Sequence, residues 1–89
     1  MNFKLRVKKY LNSQGYKVYG ISNSVDSFIV ISEDTVWLQK PMYVRCIDRR
    51  NMDEEEQREL YERAIKHGCI PIIAYRNKKD RLRLEEIKY

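Results

Sequence analysis

The stretch from Asp53 to Arg76, DEEEQRELYERAIKHGCIPIIAYR, decides the fold. Its first half is written as a helix. Asp53 is a good N-cap, Glu56 stands at the N3 position of a capping box, and Glu54 and Glu55 in the first turn favour the positive end of the helix dipole. Leu60, Tyr61, Ala64 and Ile65 form one apolar stripe, Lys66 and His67 suit the last turn, and Gly68 closes the helix. His67 is thereby accounted for at the negative end of the dipole, and no serine, cysteine or carboxylate is placed by sequence as its catalytic partner. The second half, Cys69 to Arg76, reads as a buried strand with Pro71 near its start. A strand that feeds a helix and returns as another buried strand makes a right-handed crossover, so the sheet is expected to be mixed, with a parallel pair and helices covering its faces.

Upstream, Phe3, Val7, Tyr10 and Leu11 fall on one helical stripe, predicting a helix over about residues 2 to 14 that stops at Gly15. Tyr16 to Ser22 reads as a short strand before the Ser22-Asn23-Ser24 turn. Val25 to Ser32, a tight Glu33-Asp34 turn and Thr35 to Gln39 read as a hairpin whose strands are buried on both faces. Pro41 has no amide hydrogen for a sheet, so it ends or kinks that strand, and Met42 to Ile47 reads either as its extension or as a loop. Downstream, Asn77 to Asp80 is a polar turn and Arg81 to Ile87 a last strand with Leu82 and Leu84 facing in. The expected architecture is a single α/β domain over residues 1–89, a mixed five-stranded sheet flanked by two helices in the order α-β-β-β-α-β-β. Tyr10, Tyr16, Tyr61 and Tyr75 fit the core, whereas Tyr43, beside Lys40 and Arg45, is a candidate for stacking on a base.

The chain has 89 residues, enough for one core, and its 43% hydrophobic and 11% aromatic content excludes a disordered chain despite 35% charged residues. No apolar run approaches the roughly 18 residues that span a bilayer. The opening Met1-Asn2-Phe3-Lys4-Leu5-Arg6 alternates charge with apolar residues where a signal peptide needs a continuous apolar stretch, so a cytoplasmic location is expected. Cys46, Cys69 and the lone His67 cannot make a four-ligand zinc site, and both cysteines read as small buried hydrophobes. Gly15, Gly20 and Gly68 form neither a phosphate loop nor a dinucleotide pattern, which argues against a nucleotide cofactor.

The net charge is +5, from 18 basic and 13 acidic residues, and its distribution is uneven. Residues 4–17, 40–50 and 76–83 are basic, whereas residues 53–67 collect the acids. Three basic segments that converge suit a polyanion such as DNA, because neutralising phosphates releases counterions. The candidate phosphate-binding residues are Lys4, Lys8, Lys9, Lys40, Arg45, Arg49, Arg50, Arg76, Lys78 and Lys79. The plain alternative is a solvated, lysine-rich exterior.

An amphipathic helix ending in Gly15-Tyr16, a strand, Val25-Asp26 opening a hairpin, and a crossover helix running into Gly68-Cys69-Ile70-Pro71-Ile72-Ile73-Ala74-Tyr75-Arg76 together carry a resemblance. Over residues 3 to 87 the chain resembles the archaeal Holliday junction resolvases, within the restriction-endonuclease-like PD-(D/E)xK superfamily. The resemblance implies a homodimer that binds duplex or branched DNA. It also implies Mg2+ or Mn2+ held by carboxylates to position a water for phosphodiester hydrolysis. Asp26 matches the family's hairpin aspartate, the metal ligand. The family's next acid lands on Gln39 and its lysine on Pro41, with Lys40 one residue out of step, and the first helix lacks the family glutamate. One formal negative charge beside Lys4, Lys8 and Lys40 holds a hard cation feebly. The expectation is therefore a DNA-binding protein of nuclease-like fold with catalysis lost or weak. An active endonuclease using Asp26, Gln39 and Lys40 is one alternative, and a protein-interaction module built on the acidic helix and exposed tyrosines is another.

Overall fold

The computed structural model describes residues 2–21, 27–32, 40–47 and 52–88. They form α1 (Phe3–Ser13), β1 (Tyr16–Gly20), β2 (Ser27–Ser32), β3 (Met42–Cys46), α2 (Glu54–Lys66), β4 (Ile70–Arg76) and β5 (Leu82–Glu86). The strands lie in sequence order across one sheet. β3 and β4 are the parallel pair, joined through α2, and the other neighbours are antiparallel. The mixed sheet and its two helices are as the sequence predicts.

Local signals explain the helix ends. The Asn2 side chain accepts from the Leu5 amide at 2.8 Å, and Asp53 accepts from that of Glu56 at 2.8 Å. Gly15 and Gly68 follow the two helices at φ of 88° and 68°, where a side chain would be strained.

The third strand differs from the sequence expectation. Thr35 to Gln39 and the Glu33-Asp34 turn lie outside the described residues, and the partner of β2 is Met42–Cys46, with Ser27 opposite Arg45 and Val30 opposite Met42. Pro41 stands immediately before this strand, and the strand it is expected to end or kink lies outside the described residues. Its carbonyl needs no amide of its own to accept from the Ile70 amide at 2.8 Å, which opens the β3–β4 pairing.

The helices cover opposite faces. Val7 and Leu11 of α1 pack on Phe28, Val30, Val44, Cys46, Ile72 and Ala74. Leu60 and Ala64 of α2 pack with Tyr43, Cys69, Ile73 and Ile87 on the other side. Alternation along β3 divides its side chains between the two cores. On β2, Phe28 and Val30 are buried on the α1 face, whereas Ile31 on the other face is 45% exposed, so the expected double burial does not hold. Tyr10, Ile65 and Leu84 are likewise partly exposed, at the rims of their stripes, whereas Tyr43 is buried. Among the described residues no helix is long and apolar enough to cross a membrane.

Candidate nucleic-acid interface

The turn from Asn77 to Asp80 is fixed by its first side chain. Asn77 Oδ1 accepts from the amides of Lys79 and Arg81, both at 2.9 Å, and the Asp80 amide donates to the Asn77 carbonyl at 3.0 Å. Asp80 sits in the left-handed region at φ 61°, and Lys78, Lys79 and Arg81 are exposed around it.

This turn is tied to α1. Arg6 Nη2 donates to the Asp80 carbonyl at 2.7 Å and Nη1 to its Oδ1 at 3.3 Å, while Arg76 Nη1 donates to the same Oδ1 at 3.0 Å. The Arg76 guanidinium carbon also lies 6.0 Å from the centre of the Phe3 ring, within cation–π range. Desolvation pushes the Asp80 carboxyl up, but the charges and hydrogen bonds of Arg6 and Arg76 outweigh it and hold it below its ordinary value. Arg6 of the first basic segment and Arg76 of the third thus meet at Asp80, in the turn where Lys78 and Lys79 stand exposed.

The sheet divides the charge into layers. α1 carries four basic residues and no acid, and its first turn holds no carboxylate against the positive end of its dipole. α2, on the opposite face, carries five glutamates against three basic residues, with Glu54, Glu55 and Glu56 answering its own dipole.

The 40–50 segment does not join this surface as a unit. Arg45 belongs to the α2 face, where its Nη2 lies 3.7 Å from Glu56 Oε2. Lys40 stands beside the start of β4 and lines a cleft of about 360 Å³ with Ile65 and Lys88. The length of β4, about 20 Å, separates that end of the sheet from Arg76. Lys40 is likewise about 17 Å along β2 from Ser27, the first described residue after Asp26. Asp26, Gln39, Arg49 and Arg50 lie outside the described residues. Among the described residues no three His, Cys, Asp or Glu side chains gather as metal ligands.

Tyr43 is 4% exposed and stacks on His67 at 6.1 Å between ring centres, which leaves no face for a nucleobase. Cys46 and Cys69 are buried thiols in the cores on opposite sheet faces, not joined in a disulfide. Burial pushes the Cys69 thiol up.

Arg6 is absent from the candidate phosphate-binding residues read from sequence. Its place within the first basic run was visible, but its partner is 74 positions away and only the tertiary fold supplies it. Compared with known proteins, the chain matches no family model and no curated protein.

Proposed function

We propose that this chain is a DNA-binding protein of nuclease-like fold whose own catalysis is lost or weak. It grips the backbone of duplex or branched DNA through Lys4, Lys8 and Lys9 of α1 and Lys78 and Lys79 of the β4–β5 turn, with Arg6 and Arg76 beneath them. The observation that carries the reading is the pairing of Arg6 with Asp80, which ties α1 to the basic turn after β4. Such a surface draws affinity from counterion release and needs no base contact. The resemblance adds a homodimer, and it assigns Mg2+ or Mn2+ to Asp26 should any cleavage persist. Gln39 and Pro41, standing where an acid and a lysine are expected, support weak or absent chemistry.

Fluorescence anisotropy of labelled duplex and four-way junction, titrated across NaCl concentrations, tests the proposal. Affinity is expected to fall steeply with salt, and Lys78→Ala with Lys79→Ala to flatten the log–log slope by roughly 0.9 for each phosphate left unneutralised. Absence of binding at low salt overturns DNA binding. Cleavage with Mg2+ or Mn2+ that Asp26→Ala abolishes overturns the loss of catalysis.

A further inference from the structure

Arg6 and Arg76 come from α1 and β4, yet their guanidinium groups converge on a single carboxylate oxygen, Asp80 Oδ1, at 3.3 and 3.0 Å. Two guanidinium groups on one anionic oxygen is also how proteins take hold of a phosphate, since the planar fork matches carboxylate and phosphate alike. We propose that Arg6 and Arg76 form a cradle for one backbone phosphate, and that the Asp80 carboxylate seated in it is an internal phosphate mimic which the nucleic acid displaces. The inference rests on the DNA-binding reading and adds to it a defined contact and a gate.

The surroundings allow the exchange. The Asp80 side chain is 67% exposed, and ion pairs so open to water contribute little to the fold, so the carboxylate can leave without unfolding the turn. The cradle keeps its shape when it does. Arg6 remains docked through the Asp80 backbone carbonyl at 2.7 Å, Arg76 remains against the Phe3 ring, and Asn77 holds the turn through backbone amides. The gate has a selective effect: an isolated small anion must compete with a tethered carboxylate, whereas a polymer that already touches Lys78 and Lys79 delivers its phosphate at high local concentration.

Asp80→Asn isolates the charge. Asparagine is at ease in the left-handed region and keeps every backbone bond of the turn, and Asp80→Gly, also suited to positive φ, serves as a second variant. Glu62→Gln on α2 is the control, with the same change in net charge on the opposite face. With a labelled duplex, D80N and D80G are expected to bind about eightfold tighter than the wild-type chain near 0.1 M salt. Their log–log salt slope should match that of the wild-type chain, because the same phosphate enters the cradle once the carboxylate has left. Arg6→Gln in the D80N background should abolish that gain in affinity, and E62Q should produce none of it. Binding of duplex by the wild-type chain, with D80N no tighter than E62Q, overturns the gate and leaves the DNA reading standing. If neither the wild-type chain nor D80N retains duplex, the DNA reading falls and takes the gate with it.

Discussion

Asp80 shows how one residue can link two distant segments with its side chain 67% exposed. Its carboxyl is held below the ordinary 3.8 by Arg6 and Arg76 in spite of desolvation, so the folded chain binds its proton less readily than the unfolded chain does. The resulting stabilisation is complete above the unfolded value near 3.8 and disappears as pH falls through the lower, folded value. Carboxyl carbon NMR is expected to place the Asp80 midpoint under 3.8, and Arg6→Gln to move it back up. A midpoint at the ordinary value would show that the two arginines do not act on it. Cys69 works in the opposite sense. Burial holds its thiol above 9.0, so the folded chain keeps a proton that the unfolded chain loses, and the contribution to stability is full below pH 9.0 and is lost above it. At pH 8 the Cys69 thiol should therefore react with a disulfide reagent far more slowly in the native chain than in denaturant. Equal rates would mean that the thiol is open to water.

At the scale of elements, the structure separates signals that are local from those that are not. Both helices were legible because each is announced within a few residues, by an apolar stripe with Gly15 or Gly68 after it and, for the second helix, Asp53 before it. Asp53→Ala removes the side-chain acceptor on the Glu56 amide and is expected to cost about 1 kcal/mol, read as a shift in the urea midpoint. The third strand was less legible. Pro41 signals the end of a strand when only the missing amide is considered, but what decides its place is a carbonyl used by Ile70, 29 positions on. Likewise, Ile65 and Tyr10 sit at the right helical spacing for the core yet lie at its rim, because α1 and α2 each cover only part of a five-stranded sheet. The candidate site divided in the same way. The basic runs were plain in the sequence, but the strand register that sends Lys40 and Arg45 to other parts of the molecule was not.

At the scale of the whole molecule, the sheet works as a partition between a basic helix and an acidic one, and the position of charge should matter more than its sum. The sum is small: +5 over 89 residues gives a weak average field. Two charge reversals with the same net change separate these effects. Lys8→Glu with Lys9→Glu changes the α1 layer, and Arg58→Glu with Arg63→Glu changes the α2 layer; each pair lowers the net charge by four. The second pair also removes the Arg63–Glu59 ion pair at 2.6 Å, an exposed i,i+4 pairing whose removal costs little. If phosphates lie along α1 and the β4–β5 turn, the α1 reversal should leave two of them unneutralised and lower the salt slope by roughly 1.8. The α2 reversal should keep the slope and change affinity only through long-range repulsion, which is screened beyond about 8 Å at physiological salt. Anisotropy titrations of the two variants over the same salt series read the difference directly. Equal weakening in both would mean that the polyanion follows net charge rather than the α1 face, and the surface built by Arg6 and Asp80 would then have no special part in binding.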